Sequence, residues 1–245
     1  MTVTYIGGPT AILEYAGLRI LLDPTFDAPQ TYTSDGEGLV KTTGPGVAVD
    51  EIGPIDLVLL SHHEHEDNLD AAGLELVRRL PLTLSTAKAA NDLGRPVIGM
   101  DCWETQSVGG VTVTAAPALH GPPGIEPIVG PVIGFVLEAV GEPTVYVSGD
   151  NASLELVRHI AERFPQIEIA VLFAGAARVP SIDAALTLTS RDAAEAARIL
   201  GVSRVIGLHT EDWAHFSESR DHLEAAFAET DLLVDTPRGV ATPIA

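Results

Sequence analysis

The chain has a single cysteine, Cys102, among its 245 residues, so it holds no intrachain disulfide and no cysteine-rich zinc module. Basic residues are also scarce: 14 Lys and Arg stand against 34 Asp and Glu, for a formal net charge of −20. That excess repels polyanions, which argues against nucleic acid or an anionic membrane surface as a partner. No apolar run approaches the length of a membrane span. The opening MTVTYIGGPT lacks the basic and apolar regions of a signal peptide, and a cytoplasmic protein is expected. A Gly-x-Ser-x-Gly elbow is missing too, which turns the reading away from covalent serine catalysis.

What is present is ordinary for a globular protein, with 46% apolar and 20% charged residues. No break in composition marks a linker, so one domain over residues 1–245 is expected, and a homo-oligomer is left open. Runs with strand character occupy 2–6, 10–15, 18–22 and 55–61, with turn signals at Gly7-Gly8 and Gly17. Further strands are expected in 109–119, 132–139, 143–150, 168–174 and 203–209, with a terminal one at LLV, 232–234. Helical spacing follows Asp70, a candidate cap, and recurs at 86–93, 152–163, 190–200 with Ser190 as cap, and 217–229. Each half runs strands first and then alternates strand with helix, which two mixed sheets with helices outside would satisfy.

The strand ends carry the chemistry. LVLLS runs into His62, His63, Glu64, His65, Glu66 and Asp67; VTVTAAPAL ends at His120, TVYVSG at Asp150, and RVIGL at His209. Ligands on rigid strand ends that converge at one edge are what a preorganised metal site requires. Imidazoles and carboxylates without thiolate suit zinc in an open catalytic site, or manganese or iron. Asp150 could bridge two cations, because a carboxylate offers two oxygens, and two cations sharing a water lower its pKa and polarise the bond it attacks.

These elements resemble the metallo-β-lactamase superfamily, whose mark is HxHxDH after a strand, then a distant His, an Asp in a GD turn and a last His. Here they read HEHEDN from His63, His120 in ALHG, Asp150 in VSGDN and His209 in GLHT. The opening YIGGPTAILEYAGLRILLDPTF is similar to the ascorbate-6-phosphate lactonase-like subgroup, which also includes N-acyl-phosphatidylethanolamine phospholipase D. The resemblance implies an α/β fold, a four-layer αββα sandwich of two mixed β-sheets with a metal site at one edge. It implies that His63, His65 and His120 hold one metal, Asp67 and His209 the other, and that Asp150 bridges them.

Two departures stand out. Asn68 replaces the motif's final histidine, and an amide oxygen is a weak zinc ligand, so either one metal or a weak second site is expected. There is also one extra residue between Ser61 and Asp67. Counting back from Asp67 makes His63 the first ligand and counting forward from Ser61 makes it His62; the intact spacing to His65 and Asp67 favours His63.

The expected function is a metal-dependent hydrolase in which a metal-bound hydroxide attacks an ester, lactone, amide or phosphodiester of a small molecule. Asp67 would hold or deprotonate the water. In HTEDWAHF, 209–216, His215 would replace the missing ligand or contact substrate, Trp213 would wall the pocket, and Glu211 lies between them. Asp23 would orient a metal-bound histidine as an outer carboxylate. The loops 24–50 and 121–131 would rim the pocket. The rivals are iron-dependent oxygen or sulfur chemistry on the same fold, and a metal-containing binding protein without turnover.

Overall fold

A computed structural model describes residues 1–33 and 38–244. The strands β1 (Thr2–Gly7), β2 (Thr10–Tyr15) and β3 (Leu18–Leu22) form an antiparallel meander. After the ribbon β4 (Gln30–Thr31) and β5 (Val40–Lys41), β6 (Leu57–Leu59) joins β3 in parallel. Helix α1 (Ala71–Val77), β7 (Thr83–Thr86), α2 (Ala87–Leu93) and β8 (Val97–Met100) extend that sheet in parallel. The second sheet takes β9 (Thr105–Val108), β10 (Val111–Pro117), the short helix α3 (Glu126–Val129), β11 (Ile133–Glu138) and β12 (Thr144–Val147). It closes with α4 (Leu154–Arg163), β13 (Ile167–Phe173), α5 (Ser190–Leu200) and β14 (Arg204–Leu208), followed by α6 (Arg220–Phe227). The last strand, β15 (Ala241–Pro243), returns to pair with β1.

The sheet orders are β15-β1-β2-β3-β6-β7-β8 and β14-β13-β12-β11-β10-β9. Alternation along each strand decides which layer a side chain enters. In β2, Ala11, Leu13 and Tyr15 point between the sheets while Ile12 points out beneath α1 and α2. In β13, Ile169, Val171 and Phe173 point between the sheets while Ala170 and Leu172 point out to α4, α5 and α6. Strands covered on both faces read as continuous apolar runs, which is why they were visible in the sequence. The result is the expected αββα sandwich.

Three details depart from the sequence reading. Thr189, not Ser190, caps α5, accepting from the Asp192 N–H, while the Ser190 N–H goes to Glu218. The segment 232–234 makes only a single bridge, from Leu233 to Val205, and β15 forms the sheet edge instead. Its ATP sequence carries no strand pattern, and Pro243 is tolerated because an edge strand has no second neighbour to donate to. Neither was β9 anticipated.

Asp70 caps α1 as expected, through the Gly73 N–H, and does more. Its carboxylate also accepts from the Phe26 and Asp27 amides and from Lys41 Nζ at 2.8 Å, with both charged side chains almost wholly buried. Phe26, Asp27 and Lys41 are thereby tied to the start of the helix that follows Asp67. Removing one partner of such a pair strands a buried charge. We therefore expect Lys41→Met to lower the unfolding free energy by roughly 3 kcal/mol in a urea titration. Arg198→Ala, which breaks the exposed Arg198–Glu195 pair, should leave the transition where it is.

Candidate metal centre

The carboxyl ends of β3, β6, β12 and β14, with the chain leaving β10, open on one edge of the sandwich. They bring Asp23, His62, Asp150, His209 and His120 there. Crevices outside the carboxyl ends of strands are the usual place for a site in such folds. Gly149 lets the chain turn from β12 to Asp150: its φ is 55°, and a Cβ would lie 2.7 Å from the Ile133 carbonyl oxygen and 2.8 Å from Ser61 Cβ.

Two groups of donors result, His62 with His65 and His120, and Asp67 with Asp150 and His209. In the first, His65 Nδ1 lies 2.9 Å from His62 Nε2 and 3.2 Å from His120 Nε2. His120 Nδ1 donates to the Leu186 carbonyl at 2.8 Å, so a neutral ring turns the lone pair of Nε2 inward. Burial, helped by the His65 and His120 rings, pushes the His62 pKa well below the ordinary range, and burial lowers His120 as well. The His120 Nδ1 proton is spent on Leu186, and His62 Nε2, His65 Nδ1 and His120 Nε2 face one another at one point. In the second group, His209 Nε2 lies 3.2 Å from Asp67 Oδ2 and 3.6 Å from Asp150 Oδ1. His120 Nε2 reaches Asp150 Oδ2 at 3.7 Å, so Asp150 stands between the two groups.

Burial opposes the charge on Asp67, but His215 and His209 hold its pKa well below the usual carboxylate value. Burial likewise opposes the charge on His209, and Asp150 and Asp67 outweigh it, raising the pKa. Among the described residues, the ionisable nitrogens within 4 Å of these two carboxylates all belong to imidazoles. Asp150 Oδ2 is buried without a hydrogen-bond partner, as is Asn68 Oδ1. Buried carboxylates and unprotonated ring nitrogens that leave one another unsatisfied are the donor set a divalent cation would satisfy.

His63 is not brought into either group. The Ser61 N–H donates to Asp23 Oδ1 at 2.6 Å and the Ser61 carbonyl accepts from the Ile133 N–H, which fixes the chain as it leaves β6. The next side chain, His62, is then fully buried, and His63 turns out toward Asp92 at 3.0 Å and Glu64 at 3.1 Å. The extra residue is absorbed between His62 and His65, so the forward count from Ser61, and not the count back from Asp67, leads to the histidine that joins the first group.

Asn68 lies in the centre. Its Nδ2 donates to Asp150 Oδ1 at 3.2 Å and to Ser61 Oγ at 3.4 Å. His215 Nε2 lies 2.9 Å from Asp67 Oδ2 and lines the adjoining cavity. Trp213 does not line that cavity; it stacks on Tyr32 with centroids 5.5 Å apart and sits under Lys41. Glu211 faces Arg238 at 4.0 Å. Asp23 is buried, which raises its pKa well above the usual value, and its grip is on the backbone that presents His62. The rim loops contribute Leu39, Ile128 and Val129, while residues 34–37 of the first loop lie outside the described residues.

Sequence reasoning missed a clamp behind His209. His209 has φ of 61° and Asp212 of 77°, backbone that non-glycine residues seldom adopt. The His209 N–H donates to the Gly8 carbonyl at 2.8 Å, and the Gly8 N–H donates to Asp212 Oδ2 at 2.9 Å. Arg238, from the segment before β15, closes on Asp212 Oδ1 at 2.6 Å. Nothing in local sequence pattern connects residues 8, 212 and 238. The segment 177–186, which lines the cavity and holds His120, was also missed, since it carries no motif.

A family model described as the beta-lactamase superfamily domain matches residues 18–210. A metal-dependent hydrolase of Pyrobaculum neutrophilum is 29% identical over 85% of this chain and 84% of its own length. Among solved structures, an isothiocyanate hydrolase from Delia radicum gut bacteria superposes with a TM-score of 0.84 at 22% identity, covering 100% of this chain and 99% of its own. A possible metal-dependent hydrolase from Veillonella parvula superposes with a TM-score of 0.86 at 18% identity, with the same coverage.

Geometry separates the two neighbouring histidines in a measurable way. His62→Ala should strongly reduce the metal retained after dialysis, and His63→Ala should leave it unchanged, as read by elemental analysis. The reverse pattern would return the first position to His63.

Proposed function

This chain belongs to the metallo-β-lactamase superfamily, and on that premise we propose that it is a metal-dependent hydrolase of a small molecule, acting as one domain over residues 1–245. The observation that carries the reading is the pair of buried donor groups, side by side at the strand ends, with Asp150 between them. The superfamily relatives named as metal-dependent hydrolases support it. In our reading His62, His65 and His120 would hold one cation and Asp67, Asp150 and His209 a second, with zinc first and manganese or iron as alternatives. Bound there, the cation would acidify a water and polarise the bond under attack.

The chain's own residues would do the rest. Asp67 Oδ2, kept ionised by His209 and His215, would orient the attacking water and take its proton. His215 Nε2, on the cavity side of Asp67, would protonate the leaving group. Asn68 Nδ2 would hold Asp150 in place, leaving the second cation without a final imidazole and so more weakly held. The bond would be an ester, lactone, amide or phosphodiester, and the opening segment's likeness to lactonase-like proteins favours the lactone and ester end of that range. The acidic surface fits a small-molecule substrate in the cytoplasm better than nucleic acid, and no helix among the described residues is long and apolar enough to cross a membrane.

Two substitutions test this. Asp67→Asn keeps the shape and removes the charge, so kcat should fall by about a hundredfold or more while the melting temperature barely moves. Calorimetric titration of metal-stripped protein with zinc should show one tight step, and Asn68→His should add a second. Unchanged turnover in Asp67→Asn would reduce Asp67 to a loop carboxylate.

A further inference from the structure

The cavity beside Asp67 and His215 has a volume of about 250 Å³. Away from the donor groups its wall is largely aliphatic, built by Leu39, by Ile128 and Val129 of α3, and by Val179, Ile182 and Leu186, with Ser181 as its one hydroxyl. Ile128 is 72% exposed, so the mouth as well as the wall is apolar. None of the described residues lining the cavity is a lysine or arginine, and the charges it does carry, beside its histidines, are the carboxylates of Glu64 and Asp67. Arg178 is exposed and belongs to a neighbouring cleft, beyond Leu39, Val179 and His215.

From this wall we infer that the substrate, an ester or lactone in the reading above, has a compact, apolar and uncharged acyl part. The inference rests on the hydrolase reading above and narrows it. A charge at the reacting group would be met by the bound cation, but a charge elsewhere on the acyl part, as on a phosphorylated lactone, would face the aliphatic wall, where no lysine or arginine stands among the described lining residues. Burying an ion without a partner is far costlier than burying a hydrocarbon. Size sets the other bound: a cavity of about 150 Å³ accepts benzene, so this one accepts roughly a ring with a short chain. In the reaction, the water oxygen bonds to the acyl carbon and the bond from that carbon to the leaving oxygen breaks. The acid and alcohol formed share the two protons of the water.

The test compares two esters with the same leaving group and the same reacting carbon. Metal-replete protein is assayed with p-nitrophenyl butyrate and with the p-nitrophenyl monoester of succinate, which differs by a carboxylate at the end of the acyl chain. The expected kcat/KM is about thirtyfold higher for the butyrate, because the carboxylate has no partner in the cavity. Ile182→Lys supplies one and should bring the two values within about threefold of each other. Equal or better cleavage of the succinate ester by the native protein would overturn the inference, and loss of that cleavage in Arg178→Ala would transfer the substrate's charge to the neighbouring cleft. Phenylpropanol binding, measured by calorimetry, separates the two levels of the reading. If neither ester is cleaved yet phenylpropanol binds and Ile182→Lys weakens it about tenfold, the hydrolase reading falls and the apolar cavity stands. If phenylpropanol does not bind, the substrate class is wrong whatever the protein hydrolyses.

Discussion

Two buried carboxylates, Asp67 and Asp150, meet imidazoles with no lysine or arginine among the described residues paired to them, and much of the surrounding architecture answers to that constraint. Charges of this kind are tolerated away from water only when each is paired and fixed. The fixing is done by strand ends, which deliver the side chains without slack, and by a shell of hydrogen bonds that reaches out from them. Asp23 holds Ser61, the Leu186 carbonyl sets the His120 tautomer, and Asn68 spans from Ser61 to Asp150. Outer partners of this sort commonly tune a metal site as much as the ligands themselves.

The strained backbone follows from the same demand. Asp23, His209 and Asp212 all have positive φ, at 31°, 61° and 77°, and all three lie at or next to the donor groups. Such conformations persist only where neighbours over-determine them. Around His209 the over-determination is visible: Gly8 takes its N–H, Asp212 takes the Gly8 N–H, and Phe173 and Phe216 pack against its ring. The ring thus meets the carboxylates from a fixed direction.

What could be read from sequence was what period and composition encode. The two sheets announced themselves through β2, β13 and their neighbours, because a strand buried on both faces is a run of apolar residues. His120, Asp150 and His209 announced themselves as the polar residues that end such runs. His62 and His63 could not be separated this way, because the decision belongs to the Ser61 contacts with Asp23 and Ile133, residues distant in the chain. The Gly8–Asp212–Arg238 clamp and the 177–186 wall are invisible for the same reason: each is a tertiary contact between segments with no local signature. Trp213 misled in the opposite sense, since an aromatic beside a presumed ligand suggests a pocket wall, whereas its ring is spent on Tyr32 and Lys41.

The clamp also has a consequence in time. His62, His65 and His120 all precede Asp150, His209 comes later still, and the turn that holds His209 is tied through Gly8 and Asp212 to Arg238. A nascent chain therefore leaves the ribosome with three imidazoles synthesised long before the residue that secures the second group. Domains consolidate as units once their last contacts arrive. The order of synthesis puts the three imidazoles of the first group in the chain before His209 can meet Asp67, and the brace from Arg238 closes later still.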